Sequence, residues 1–301
     1  MPSAQSNGLE IAYEEIGPRD GRPLVLVMGL GVSLVFWEDE FCAMLAERGH
    51  RVIRFDNRDV GRSTKLDALG VPNVLEAMTA LATGKTIAGP YLLSDMARDT
   101  TGLMDALGIE RAHVVGASMG GMIAQTMAIE HPGRLRSMTS IMSTTGSASV
   151  PPGKPEAMAM LVRPPVFERS AYIDQAVEIW RTIGSPGFTL DEQRVRGRAA
   201  AHFDRGYHPA GIARQLVAVV ASGDRTAALG KVSTPSLVIH GAADPLVPVE
   251  GGKATAAAIP GASLLLIEGM GHDLPEGAWP QLVGAISEHT AKAEAKHGDV
   301  L

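Results

Sequence analysis

Val114-Val115-Gly116-Ala117-Ser118-Met119-Gly120-Gly121 sets a Gly-x-Ser-x-Gly pentapeptide between an apolar run and a stretch of small residues. Arg111 to Val115 predicts a β-strand, and Met119 to Glu130 predicts a helix. A serine at such a seam is forced into a tight strand-to-helix turn that lifts its Oγ above the sheet. Glycine on both sides removes the Cβ atoms that would clash there. The next backbone N–H, from Met119, can then point at a developing oxyanion. Gly and Ser are common residues, so the pentapeptide takes its meaning from this context.

Outward from this seam, short apolar runs alternate with helix-period stretches. Leu24 to Met28, Arg51 to Phe55, Ala112 to Val115, Leu135 to Ile141, Ser236 to His240 and Ser263 to Ile267 predict strands. Glu38 to Arg48, Ser94 to Leu107, Met119 to Glu130, Glu250 to Ile259 and Trp279 to Thr290 predict helices. Gly8 to Ile16 predicts an edge strand, Ser94 a helix N-cap, and Ala291 to Leu301 a frayed end or tail. Near-continuous apolar strands alternating with helices imply an α/β fold with a mostly parallel central sheet flanked by helices.

The alternation breaks twice. Leu66 to Tyr91 is a long connection with one possible helix, Val74 to Ala82. From about Ser143 to Leu229 the chain turns helical, at Ala157 to Val162, Ala171 to Ile183, Glu192 to Ala201 and Ile212 to Ala221. Four helical segments without a convincing strand suggest an inserted helical cap. The expected division is a core of 1–142 and 230–301 with a cap of 143–229.

A serine nucleophile needs a base to take its proton and a third group to hold that base. In such a fold the partners follow as Asp or Glu, then His, on loops after later strands. Asp244 follows the strand Leu237 to His240, and His272 follows the strand Leu264 to Ile267. Taken singly, Asp244 could be a turn aspartate bonding its own backbone, and His272 a surface loop histidine. Chain order and placement together point to Ser118, His272 and Asp244 as nucleophile, base and orienting acid. The second oxyanion donor is expected in the loop Met28-Gly29-Leu30-Gly31, from the N–H of Leu30 or one residue away; the bland reading is a plain tight turn. Among other histidines, His113 predicts a sheet residue, His240 a brace for the Asp244 turn and His131 a helix terminus. His50, His202, His208, His289 and His297 lack partners at informative spacing, and no metal-ligand spacing occurs.

Elbow, order and loops resemble the α/β-hydrolase superfamily over most of the chain outside the insertion. More narrowly, Leu26 to Gly29, Trp37 to Phe41, Val52 to Thr64 and His113 to Gly120 are similar to esterases of the aclacinomycin methylesterase type. The resemblance implies an α/β-hydrolase fold and the same three roles for Ser118, His272 and Asp244. One departure stands out: many members carry His-Gly in the oxyanion loop, and this chain has Met28-Gly29. The resemblance also implies that Asp56 to Ser63 is a structural turn behind the oxyanion loop. Asp56 would accept loop N–H groups, and Arg58 and Arg62 would pair with carboxylates; the alternative is an anion site.

The 301 residues are about twice a typical domain, which suits one large α/β domain with an insertion, or two domains. A net charge of −6 argues against nucleic acid and anionic membranes as partners. The single cysteine, Cys42, excludes an internal disulfide and lies in an apolar run, as a small buried hydrophobe does. The N-terminus has no apolar signal core, and no apolar run approaches the ~18 residues of a membrane span, so a cytoplasmic setting is expected. Nothing in the sequence fixes an oligomeric state.

The implied chemistry is two-step acyl transfer on a small-molecule ester, with no cofactor and no metal. Met28, Gly29, Met142 and Met270 are expected to line the substrate site, Leu30 and Met119 flank it, and Met158 and Met160 open the cap. Methionines give an adaptable apolar wall for a bulky acyl or alcohol group, though each could be plain core. Arg194, Arg196, Arg198 and Arg205 could meet an acidic substrate; a solvated helix face is the expected reading. A dehalogenase or epoxide hydrolase of this fold would carry Asp at the elbow, so Ser118 argues against both. A lactonase, a cofactor-free perhydrolase, a carbon–carbon hydrolase and a non-catalytic ligand receptor stay open.

Overall fold

The computed structural model describes residues 2–298, with backbone alone for 296–298. Eight strands form one sheet: β1 (Ser3–Ser6), β2 (Leu9–Ile16), β3 (Arg22–Val27), β4 (His50–Phe55), β5 (Ala112–Ala117), β6 (Leu135–Ile141), β7 (Ser236–Gly241) and β8 (Ser263–Ile267). Their order is β1-β2-β4-β3-β5-β6-β7-β8. The first two pairings are antiparallel and all from β4 to β8 are parallel. The helices are α1 (Asp39–Glu47), α2 (Val74–Thr83), α3 (Leu93–Ala106), α4 (Met119–Glu130), α5 (Pro155–Met160), α6 (Arg169–Ile183), α7 (Glu192–Gly206), α8 (Pro209–Ala221), α9 (Thr226–Leu229), α10 (Val249–Ala258) and α11 (Trp279–Gly298). Among the described residues no helix is long and apolar enough to cross a membrane.

Period-two alternation along β3 divides the core. Val25 and Val27 pack with Val114 and Ile53 under α3 and α4, while Leu24 and Leu26 pack with Val52 and Val115 under α1 and α11. Every residue of β5 is buried, as a strand covered on both faces requires. Cys42 is buried in the α1 layer, where burial pushes its thiol up to about 12, far from a reactive thiolate.

Three local expectations need correction. The segment Gly8–Ile16 is not the edge: β1 pairs outside it, joined by Asn7-Gly8 with φ of 51° and 77°, a turn whose twist suits a hairpin. The N-cap of α3 is Leu92, not Ser94, because Asp95 reaches back to accept the Leu92 N–H at 2.7 Å. The last helix is continuous to Gly298 and does not end at Thr290; residues 299–301 of the expected tail lie outside the described residues.

Between β6 and β7 the described residues carry α5 to α9 and no strand. This insertion is fastened to the core by buried polar contacts. Arg205 pairs with Asp56 at 2.8 Å, and Arg214 forks onto Asp59 at 2.7 and 2.9 Å with both side chains fully buried. Arg194 and Arg198 share Glu38, and Arg194 also lies over Trp279. The expected solvated arginine face is therefore wrong for Arg194, Arg198 and Arg205; only Arg196, paired with Asp174 and half-exposed, fits it. Acidic residues more than 140 positions upstream claim the others.

Histidines without informative spacing find partners through the same tertiary contacts. His202 Nδ1 lies 2.9 Å from Ser33 Oγ, His208 Nε2 2.8 Å from Asp67, and His50 bonds the Leu45 carbonyl and Thr290. The His289 ring reaches the Pro235 carbonyl, while the side chain of His297 lies outside the described residues.

Asp59 shows how much such a contact carries. Burial pushes its carboxyl upward, but Arg214, the Leu66 N–H and the Tyr91 hydroxyl outweigh this and hold its pKa below the ordinary value. Its stabilisation is thus present above about pH 4 and lost as pH falls through the lower folded pKa. Arg214→Met strands the buried carboxylate and should cost about 3–5 kcal/mol in urea unfolding at neutral pH. The variant should also lose less on acidification than the wild type. A cost under about 1 kcal/mol, the scale of an exposed pair, would contradict the assignment.

Candidate active site

The chain leaves β3 toward β4 on one side and leaves β5 toward β6 on the other, so a crevice opens above the carboxyl ends of β3 and β5. Ser118 stands at the end of β5 with φ 55° and ψ −119°, a strained conformation for a residue with a side chain. Its N–H donates to the Ile141 carbonyl at 2.9 Å, and its carbonyl accepts from Gly121 at 2.9 Å. A Cβ on Gly116 would stand 2.0 Å from the Gly120 carbonyl oxygen, and one on Gly120 would stand 2.0 Å from the Val27 carbonyl oxygen. Both glycines of the pentapeptide are required: Gly116 lies against the first turn of α4, and Gly120 against the end of β3.

Asp244 and His272 come to this serine from loops after β7 and β8. His272 Nε2 lies 3.0 Å from Ser118 Oγ, and Nδ1 lies 2.7 Å from Asp244 Oδ2. An acceptor at Nδ1 fixes the tautomer, leaving the Nε2 lone pair for the serine hydroxyl proton. The other carboxylate oxygen of Asp244 accepts the N–H groups of Leu246 and Val247, each at 2.9 Å. Asp244 is thus both a turn aspartate and the partner of His272, the two readings the sequence had set against each other. His240 Nε2 donates to the Val247 carbonyl at 2.8 Å and so braces that turn. His131 ends α4, and His113 is buried in β5 against Ser137.

The insertion holds the histidine loop in place, which the sequence did not signal. The His272 N–H donates to the Ile183 carbonyl at 2.7 Å, and the Gly271 N–H donates to Ser185 Oγ at 2.8 Å. Ser185 Oγ in turn donates to Asp273, whose carboxyl burial holds above the ordinary range. Gly187 N–H closes the contact on the Gly269 carbonyl at 2.9 Å.

The loop after β3 is held from both sides. Asn57 Nδ2 donates to the Met28 carbonyl at 2.9 Å, and Asp56 accepts the Leu34 and Arg62 N–H groups at 2.8 Å each. Gln215, from α8, accepts the Gly31 N–H at 2.8 Å. The N–H groups of Leu30 and Met119 donate to no acceptor among the described residues. The stretch Asp56 to Ser63 is therefore a structural turn. Arg58 pairs with Asp99 at 2.6 Å, whereas the Arg62 side chain is exposed and takes no part in it, against expectation.

Above this row lies a cavity of about 1520 Å³, bordered by Ser118 and His272 and by Met28, Gly29, Leu30, Met119 and Met142. Met158 and Met160 border it from the insertion. Met270 does not. Its side chain is fully buried with Trp279 and Leu282 in the layer below, and its carbonyl accepts the Ala243 N–H at 3.0 Å. Being next to a loop glycine placed it near the site in sequence, but its side chain points to α11.

Known proteins resemble this chain over most of its length. The model of the α/β hydrolase fold family matches residues 22–277. The chain is 31% identical to rhodomycin D methylesterase DauP of Streptomyces sp. (strain C5), over 93% of this chain and 94% of that protein. It is 30% identical to rhodomycin D methylesterase DnrP of Streptomyces peucetius, over 97% and 99%. A solved hydrolase from Pseudomonas aeruginosa PA01 superposes with a TM-score of 0.68 at 25% identity, covering 95% of this chain and 96% of that one. The chain belongs to the α/β hydrolase fold family.

The contact between Gly120 and β3 yields a direct test. Gly120→Ala must push α4 off the Val27 carbonyl, which should cost about 1–3 kcal/mol and displace Ser118. Thermal unfolding reads the first effect; a melting temperature equal to the wild type's would show that the approach is looser than described.

Proposed function

We propose that the chain is a serine-dependent carboxylic ester hydrolase. The observation that carries this reading is the unbroken row Ser118 Oγ, His272 Nε2, His272 Nδ1 and Asp244 Oδ2 at the floor of a large cavity. In the proposed reaction Ser118 Oγ attacks the ester carbonyl as His272 Nε2 takes its proton. The N–H groups of Met119 and Leu30 receive the oxyanion, each such donor being worth on the order of 3 kcal/mol. His272 then passes its proton to the leaving alkoxide. Water attacks the acyl-enzyme by the same route and frees the acid.

Residues 143–229 act in this reading as a cap over the core of 1–142 and 230–301. The methylesterase names of the relatives support a small alkyl leaving group. A cavity of about 1520 Å³, far beyond what a short acyl chain fills, supports a bulky acyl part. Met28, Gly29 and Met142 would contact it, and Met28 replaces the polar residue frequent at that place in similar esterases with an adaptable apolar wall.

A fluorophosphonate should label the wild type and leave Ser118→Ala unlabelled. A panel of methyl and aryl esters should show turnover that Ser118→Ala lacks. Labelling without turnover of any ester would favour another acyl-transfer reaction, and neither would favour a ligand-binding protein. His272→Ala should lower kcat by several orders of magnitude.

Asp244→Asn tests the orienting role. The two N–H groups on Oδ1 will keep the amide oxygen in place and turn the amide NH2 toward His272 Nδ1. The imidazole must then take the other tautomer and put an N–H toward Ser118. A loss of about 10⁴ in kcat is expected, as known for this change in a serine protease. Near-wild-type kcat would mean another group orients His272.

A further inference from the structure

Arg198, on α7, borders the cavity together with Phe36, Trp180 and Asp273, the neighbour of His272. Its guanidinium lies 4.8 Å from the Phe36 ring centre and 5.1 Å from that of Trp180. Nη1 donates to Glu38 at 2.8 Å; Nε is buried without a partner, and Nη2 makes no hydrogen bond among the described residues. Glu38 is itself divided, since its other oxygen accepts from Arg194. Arg214 shows what a satisfied arginine looks like in this protein, with Nε and Nη2 forked onto both oxygens of Asp59. On Arg198 that same edge has no acceptor: Nε is enclosed by the protein, and Nη2 is the donor left to an incoming oxygen.

A guanidinium fork fits a planar pair of oxygens, and a buried donor without an acceptor is costly. The cost falls when a ligand oxygen arrives. Arg198 and Asp273 both line the cavity, and no ion pair joins them among the described residues. Burial raises the Asp273 carboxyl above its ordinary range, against the downward pull of Ser185, Arg198 and His272.

We infer that Arg198 is a specificity-determining residue that receives a second oxygen-bearing group of the substrate, a carboxylate or ionised enol on the acyl part, while the ester carbonyl sits at Ser118. The inference rests on the ester-hydrolase reading and narrows it to esters of acids with such a group. The cavity lining is mostly apolar, with Lys85, Arg163 and Arg225 as its further cations, and an incompletely paired guanidinium at Arg198 selects by staying unpaired when the group is missing.

The test compares a monomethyl ester of an aromatic dicarboxylic acid with its neutral isostere, in which a carboxamide replaces the free carboxylate. The ratio of their kcat/KM values is unaffected by the amount of folded enzyme. In the wild type it should favour the carboxylate by about 10- to 100-fold, the range of a charged hydrogen bond. Arg198→Met should bring the ratio to about one, and Arg198→Lys should keep only part of it, because an ammonium lacks the fork. A second measurement needs no variant: an aromatic carboxylate should inhibit wild-type hydrolysis of a neutral aryl ester more strongly than its carboxamide does. A wild-type ratio near one, an unchanged ratio in Arg198→Met, or equal inhibition by the two compounds would overturn the inference while ester hydrolysis itself stands. Turnover of neither ester nor the aryl ester would overturn the underlying reading instead.

Discussion

The approach of Gly120 to the Val27 carbonyl is the constraint on which the site depends. It presses the start of α4 onto the end of β3, so the turn carrying Ser118 and the loop carrying Leu30 become neighbours. No side chain fits between them, and the strain at Ser118 is sustained by the surrounding hydrogen bonds to Ile141 and Gly121. The sheet then supplies the rest. Successive parallel strands β7 and β8 end on the same side, and their loops bring Asp244 and His272 to the serine with no further device.

The insertion borders the cavity and also holds loops of the core. Ile183 and Ser185 hold the histidine loop, and Gln215 holds the loop after β3. Arg205 and Arg214 anchor their helices on the 56–59 turn, which itself grips Met28 and Leu34. Buried ion pairs stabilise weakly relative to apolar packing of the same shape, but they tolerate few alternative arrangements. Their value here is register: each arginine accepts one seat on the core, and the helices follow.

What was legible in the sequence is what local rules decide. Strand alternation, the glycine-flanked turn and chain order singled out Ser118, Asp244 and His272, which lie within hydrogen-bond distance in a row, because each signal depends on a few neighbouring residues. β1 escaped because Ser-Ala-Gln-Ser has no apolar alternation, although Asn7-Gly8 carried the hairpin signal. Ser94 was preferred as a cap by residue type, whereas Asp95 decided the matter by reaching back one turn. The arginines of α7 looked solvated because their acidic partners lie far upstream, and such pairing is invisible to spacing along one helix. Met270 and Ser185 failed in opposite directions. Adjacency in the chain drew the first toward the cavity, and distance in the chain hid the second from His272.

The same fastening gives the rim of the cavity an unequal tolerance to change. Residues 183–187, Arg205, Arg214 and Gln215 are committed to holding loops, so a substitution there disturbs the chemistry whatever it does to fit. Val71, Val162 and Phe167 border the same cavity yet are exposed, by 70%, 46% and 73%. Their side chains can be exchanged at small cost to folding, since exposed positions seldom matter by more than about 0.5 kcal/mol. Divergence of substrate preference in this architecture has a cheap route along that rim, and an expensive one through the anchors.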